Sequence, residues 1–282
     1  YADANDVDRD LNELIYSGLV KYDGTNGLVE DIADQIQADG TGKVYTVTLK
    51  ENVQWHDGVQ LTADDIAFTI ATIQDPKYKS PIRANWIGVD VERVSDFKLR
   101  FHLLDPYAPF LERLTLKILP AHIWKDISPE NFPLSSHNLQ PIGSGPYEMR
   151  SINQERSGFI EEIHLTRNSN YHNEAPFLES ITFRFFENEE TLLREANRGS
   201  LQTFSLVSHE SATNMNNPAF SSYRFSLPRY FALFFNQNQG VLGNREVREA
   251  LRMLIDKDDL VEEVFDGNAR LRSEEHTSEL QS

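Results

Sequence analysis

The chain of 282 residues contains no cysteine, which excludes thiolate catalysis, cysteine-ligated zinc and disulfides and leaves the redox compartment open. Basic residues are few: 27 Lys and Arg stand against 44 Asp and Glu, a formal charge of -17 that repels a phosphate backbone or an anionic membrane surface. No nucleic-acid partner is expected. Long apolar runs are also missing, since no stretch approaches the roughly 20 residues a spanning helix needs. The first residues, YADANDVDRD, are acidic where a secretory leader would be basic and then apolar. With no initiator Met, and with apolar periodicity beginning at Leu11, Leu14 and Ile15, the chain reads as one trimmed at its front. The eight histidines never take HxxxH or HExxH spacing, so neither a metal centre nor a cofactor is read from them.

What is present is enough apolar content, 39%, to bury a substantial core. KVYTVTL alternates as a half-buried strand, with Tyr45, Val47 and Leu49 on one side. Asp57-Gly58 supplies a turn. In LTADDIAFTIATI, Thr62 stands where a helix is capped, Asp64 and Asp65 fall in the first turn, Ile66, Ile70 and Ile73 share a face, and Pro76 stops the helix. VDVERVS and FKLRFHLLDP repeat the strand pattern, with Phe97, Leu99, Phe101 and Leu103 on one face. After the Pro- and Ser-containing SPENFPLSSHNLQ a boundary is placed near Gln140. Beyond it FIEEIHLTRN and SITFRFFEN read as strands and EETLLREANRGS as a helix ending at Gly199. Further strands then give way to one helix over REVREALRMLIDKDDLVEEVF, striped by Val247, Leu251, Leu254 and Ile255. The order of elements argues for a mixed α/β or α+β fold.

The residues that could carry chemistry each have an ordinary reading beside the functional one. Adjacent carboxylates (Asp64-Asp65, Glu161-Glu162, Glu189-Glu190, Glu262-Glu263) diverge in direction and suit helix starts and solvated faces better than general acid and base work. His56 and His102 are explained by solvation or hydrogen bonding, and His164 and His172 bracket a loop without making a site. Gly143-Ser144-Gly145 lacks the spacing of a phosphate loop or a nucleophile elbow. A tight crossover ending at Pro146 fits it better, and that makes it a hinge candidate together with Gly18. Tyr16, Trp86 and the cluster around Phe234, Phe235 and Asn236 suit either a ligand cleft or the core.

Taken in order, LIYSGLVKYD, YTVTLKENVQWHDGVQLTADDIAFTI, DPKYKSP, FHLLDPYAPFLERLTLKILPAHIW, PIGSGPYEM, LTRNSNYH, ALFFNQN and REVREALRMLIDKDDLVEEVFDGNA resemble the family 5 extracellular solute-binding proteins of bacterial ABC importers, over about Asp8 to Ala269. The resemblance implies a Venus-flytrap of the periplasmic-binding-protein type II kind, incomplete here. Residues 1-27 would open lobe I, 28-139 form lobe II and 140-271 resume lobe I, with lobe III beginning after Asn268-Ala269 and absent. It implies a peptide ligand of the oligopeptide or dipeptide class, ABC permease subunits as partners, a monomer that is not an enzyme, and a periplasmic or extracytoplasmic place with any lipid anchor upstream.

Carried over residue by residue, Tyr16, Ser17, Gly18 and Leu19 match the segment whose backbone lies along the ligand, where main-chain hydrogen bonds add an extended peptide as a strand. The family often has an acidic residue where Ser17 stands. Asn236 matches a polar residue of the lobe I wall, Asn85 and Trp86 lie in the lobe II region that reaches toward the ligand, and Gly143, Ser144, Gly145 and Pro146 match the crossover that would act as hinge. Two other readings stay open: a secreted α/β hydrolase acting on a polymer or peptide, and a family member binding nickel or a sugar. The terminal RSEEHTSELQS, residues 272-282, has no counterpart in the family and resembles the translation of a short-read sequencing adapter; it is excluded from the fold.

Overall fold

A computed structural model describes residues 6–25, 27–205, 215–223, 231–265, 267 and 269–270. The terminal peptide 272–282 and Asn268, half of the pair before the expected third lobe, therefore lie outside the described residues. The chain divides into two compact units, residues 1–185 and 186–282. Every strand pairing in the described residues is antiparallel.

The first unit begins with helix α1 (Asp6–Ile15) and the short hairpin β1 (Val20–Tyr22) and β2 (Leu28–Glu30). Strands β3 (Ala33–Ala38), β4 (Val44–Leu49), β5 (Val89–Ser95) and β6 (Lys98–Leu103) follow, ordered β3-β4-β6-β5 in one sheet. The alternation in KVYTVTL and FKLRFHL is what sets this sheet's register: Tyr45 faces Phe101 and Val47 faces Leu99, so a single apolar face is turned inward. Helix α2 (Ala63–Gln74) lies on that face through Ile66, Ile70 and Ile73, each almost inaccessible to solvent. Its start is fixed as expected. Thr62 and Asp65 form a capping box, and the Asp65 carboxylate accepts from Thr62 N at 2.9 Å and from Ala121 N at 2.8 Å. That second bond docks the short helix α4 (Ala121–Trp124) on the start of α2. Burial pushes the Asp65 carboxyl above its ordinary range, against the lowering effect of these two bonds.

An aromatic cluster closes this core. Phe110, which starts the short helix α3 (Phe110–Arg113), meets Tyr45, Phe101 and Trp86 with ring centroids 4.7, 5.5 and 6.2 Å apart. The stretch SPENFPLSSHNLQ is not a bare linker: it coils into two 3-10 turns whose Phe132 is buried against Trp124, with centroids 4.6 Å apart. A second core belongs to the meander β7 (Tyr147–Gln154), β8 (Ile160–Arg167) and β9 (Ser180–Arg184), where Tyr147, Ile163 and Leu165 pack with Leu11, Leu14 and Ile15 of α1.

In the second unit, α5 (Glu189–Asn197) starts at Asn188, whose side chain accepts from Thr191 N, and ends before Gly199 at φ +78°. One expectation needs correction here, and another cannot be followed along its whole length. The strands expected between α5 and the next helix fall largely on residues 206–214 and 224–230, which lie outside the described residues. The single long helix is two, α6 (Arg245–Met253) and α7 (Lys257–Phe265). Asp256 breaks it by accepting from the amides of Asp258 and Asp259, which starts a new helix in place of continuing the old one. The expected stripe is correspondingly not buried: Leu254 is 80% exposed and Ile255 is also exposed.

All three tryptophans, Trp55, Trp86 and Trp124, are buried in the first unit, so intrinsic fluorescence during urea unfolding reports on that unit alone. By this measurement Phe101→Ala is expected to cost about 3–5 kcal/mol, and Leu134→Ala, on the exposed surface of the same unit, less than about 0.5 kcal/mol.

Candidate functional site

The segment Tyr16–Leu19 passes from one core to the other. Ile15 and Tyr16 are buried with the β7–β9 sheet, whereas Leu19 and Val20 are buried with the four-stranded sheet. The chain returns at Ile142–Tyr147, since Ile142 packs on the larger core and Tyr147 on the smaller. The two crossings touch. Gly145 N donates to Ile15 O at 2.8 Å, and Ser17 Oγ reaches Ser144 O at 3.4 Å.

The contact leaves no room for side chains. A Cβ on Gly143 would stand 1.8 Å from the Ile15 carbonyl oxygen, and one on Gly145 would stand 2.6 Å from Leu14 O. Neither glycine has positive φ, so close approach, not an unusual backbone conformation, is what requires them. His56 grips the same turn three times: its amide donates to Gly143 O at 2.8 Å, its Nδ1 accepts from Gly143 N at 3.1 Å, and its Nε2 lies 3.2 Å from Gly145 O. An Nδ1 that accepts requires the proton on Nε2, which then donates to Gly145 O. The ring is therefore neutral. Burial lowers its pKa and favours that state, although the bond to Gly145 acts in the opposite sense. Asn168 completes the grip by donating Nδ2 to Gly145 O at 3.0 Å and its amide to Pro146 O at 2.9 Å.

On its other side the segment Tyr16–Leu19 is bonded into the larger core. Ile118 N donates to Ser17 O at 3.0 Å, Ile32 N to Gly18 O at 3.1 Å, and Asp31 N and Ala33 N to Leu19 O at 3.0 and 3.1 Å. Gly18 lies so close to Thr115 that a Cβ would come within 2.7 Å of its carbonyl oxygen. Tyr16, Ser17 and Leu19 are all buried, and burial pushes the Tyr16 phenol well up.

A polar cluster that no local pattern announces sits beside this segment. Asp31, almost wholly buried, receives Asn173 Nδ2 at 2.6 Å and His172 Nε2 at 3.1 Å on one carboxylate oxygen, with Lys21 Nζ and Tyr171 OH each at 3.4 Å. Lys50 Nζ donates to Asn173 Oδ1 at 2.7 Å and orients that amide. The two shorter contacts are directed hydrogen bonds; the Lys21 contact acts mainly through charge. Burial alone would raise the Asp31 pKa, but the His172 bond and the Lys21 charge outweigh it and bring the carboxyl down to about 2. For Lys21, burial works against the charge, and the neighbouring Asp31 and Tyr171 reverse that to give a raised pKa.

The other expected site residues lie elsewhere. Trp86 is buried among Phe101 and Phe110, with Asn85 beside it and exposed. The Asn85 backbone carbonyl accepts from Arg113. Asn236 is in the second unit and exposed, and its side chain accepts from Asn238 N at 3.1 Å; Phe234 next to it is 83% exposed. Thus Tyr16–Leu19 and Gly143–Pro146 are brought into contact, Asn85 and Trp86 are not joined to them by any hydrogen bond among the described residues, and Asn236 belongs to the other unit. Sequence reasoning missed Asp31, Lys21, Asn168 and Asn173. The signal within reach was the motif LTRNSNYH, whose polar residues are dense for a loop between two strands.

The family model described as "Bacterial extracellular solute-binding proteins, family 5 Middle" matches residues 27–274. The chain belongs to the bacterial extracellular solute-binding proteins, family 5. Among similar proteins are the oligopeptide-binding protein AppA of Bacillus subtilis (strain 168), 25% identical over 274 residues, which are 95% of this chain and 49% of AppA, and Protein XP55 of Streptomyces lividans, 28% identical over 93% of this chain and 47% of XP55. Of solved structures, NikZ from Campylobacter jejuni in complex with Ni(L-His) superposes with a TM-score of 0.77 at 27% identity, over 92% of this chain and 51% of NikZ. Bacillus subtilis AppA in complex with a nonapeptide gives 0.74 at 24% identity, over 95% and 53%. The fold is that of the periplasmic binding proteins, with mixed helix and sheet, and the chain spans about half the length of the curated relatives it matches.

Three outcomes follow from this geometry. Gly143→Ala is expected to lower the stability of the first unit by about 3 kcal/mol or more, because backbone must move on both sides. Ser144→Ala, which removes a buried hydroxyl without a hydrogen-bond partner, should change it by less than about 1 kcal/mol. Since the folded pKa of Asp31 lies below the unfolded value, its contribution of roughly 2 kcal/mol is complete above about pH 4 and is lost as pH falls toward 2. Urea unfolding at a series of pH values should show that slope in the wild type and a shallower one in Asp31→Asn.

Proposed function

We propose that this chain is part of the substrate-binding component of an ABC importer for peptides, acting outside the cytoplasm and passing its ligand to a membrane permease. The observation that carries the reading is the agreement of the relatives: a family match along most of the chain, with AppA named as oligopeptide-binding and several Brucella proteins named as ABC transporter peptide-binding. In this reading residues 1-27 and 140-271 belong to lobe I and 28-139 to lobe II, and the second wall of the cleft is supplied by sequence beyond residue 271. Tyr16–Leu19 forms the floor. With the carbonyls of Ser17, Gly18 and Leu19 already engaged within the chain, main-chain pairing with a peptide falls to the remaining polar groups of the segment, and affinity without side-chain selectivity follows. Asn85 contributes from lobe II, with Trp86 behind it in the core, and Asn236 from the lobe I wall. The Gly143–Pro146 turn, bonded from both sides, acts as the pivot of closure. The protein binds as a monomer and turns nothing over.

A nickel complex is the second reading, favoured by the NikZ structure with Ni(L-His). Among the described residues no group of three His, Cys, Asp or Glu could hold an ion, so such a complex would be gripped through its organic ligand.

Titration calorimetry separates the two. A gene product extended to the length of the relatives should release or take up heat with pools of short peptides and saturate at one site. The 282-residue chain alone should show no binding at micromolar concentration, since half the cleft is missing. Heat with nickel-histidine and none with peptides would reassign the ligand, and micromolar peptide binding by the 282-residue chain would contradict the division of the cleft.

A further inference from the structure

Asp31 has two sets of bonds that point in different directions. Its amide, and those of Ile32 and Ala33 after it, donate to the carbonyls of Gly18 and Leu19, so this short run is the rail on which the crossing segment rests. Its carboxylate is held from the far side by His172 and Asn173, whose loop follows β8 of the other sheet. The His172 side chain is 1% exposed and that of Asp31 3%, so the contact is shielded from water, where a charge-assisted hydrogen bond is strong and its loss costly. Lys21, in β1, lies beside the same carboxylate, and Lys50, just after β4, holds Asn173 through its Oδ1. A buried carboxylate of this kind is not needed to fill space, and an apolar side chain would do so at lower desolvation cost. What it adds is direction.

We propose that Asp31 and His172 are positioning residues that fix the segment Tyr16–Leu19 at the floor of the binding site without touching the ligand. The inference rests on the reading of that segment as ligand-facing, but its mechanical content concerns this chain alone. The loop 168–173 holds the turn Gly145–Pro146 through Asn168 and the rail 31–33 through His172 and Asn173. One loop thus sets both crossings.

Hydrogen exchange followed by mass spectrometry on the 282-residue chain tests this. In Asp31→Asn and in His172→Leu, the amides of Ile32, Ala33 and Ile118, which bond the segment, and that of Gly145, which bonds Ile15 just before it, should exchange faster by on the order of tenfold. Those of Val47 and Leu99, inside β4 and β6, should keep their wild-type rates. His172→Gln, which retains a donor toward Asp31, should stay near the wild type. If Asp31→Asn does not fold by tryptophan fluorescence, Asn173→Ala removes the 2.6 Å donor alone and carries the same readout. Unchanged exchange at the four amides would overturn the proposal. So would a uniform rise that includes Val47 and Leu99, because these residues would then only support the fold. No ligand enters the measurement, so its failure leaves the peptide reading standing, and an absence of peptide heat leaves the positioning role standing.

Discussion

The first unit is organised by one contact, the approach of two backbone crossings at Ile15 and Gly145. There the Gly145 amide meets the Ile15 carbonyl, and neither Gly143 nor Gly145 has space for a single added carbon. Both cores are built on either side of this point: the four-stranded sheet with α2 between the crossings in sequence, the β7–β9 sheet with α1 outside them. A domain connected to its neighbour by one crossing can swing. Two crossings bonded to each other, and held by His56 and Asn168, tie the two cores together. The neutral state of His56 belongs to the same constraint, because a second ring proton would face the Gly143 amide instead of accepting from it.

The chain is strongly acidic, yet a buried polar cluster gathers Lys21, His172 and Asn173 around the Asp31 carboxylate, with Lys50 behind Asn173. Surface pairs such as Arg194 with Glu190 are solvated and contribute little. The Asp31 cluster is different because water is excluded and the partners come from opposite ends of the unit, 140 residues or more apart for Tyr171, His172 and Asn173. It therefore connects the two sheets where chain connectivity does not. The contact also explains a departure from the pattern of a plain apolar interface: in the loop after β8, Asn168, Tyr171, His172 and Asn173 each supply a donor to Asp31 or to the Gly145–Pro146 turn.

Much of the first unit was legible from local pattern. Period-two alternation placed Tyr45, Val47, Leu49, Leu99, Phe101 and Leu103 on one buried face, and Thr62 with Asp65 marked the start of α2. These elements carry their instructions within a few residues. The second unit was less legible, since the stripe from Val247 to Ile255 signals a helix without registering that Asp256 competes for the backbone. Of the site, the crossing at Gly143–Pro146 was readable because consecutive small residues announce close approach. The Asp31–His172 contact was not, because nothing in either local sequence reports the other. His56 looked like one more solvated or hydrogen-bonded side chain beside a turn; its role depends on a turn 87 residues away.

Through this double crossing the two cores unfold as one cooperative unit. The most direct test is equilibrium urea unfolding of the 282-residue chain, followed at once by tryptophan fluorescence and by pulsed hydrogen exchange of the β8 amides. Fluorescence reports the larger core through Trp55 and Trp86, and the amides of Ile163 and Leu165 report the smaller one. Coincident midpoints are the predicted result. Separate midpoints, with β8 opening while the tryptophans remain buried, would contradict the account.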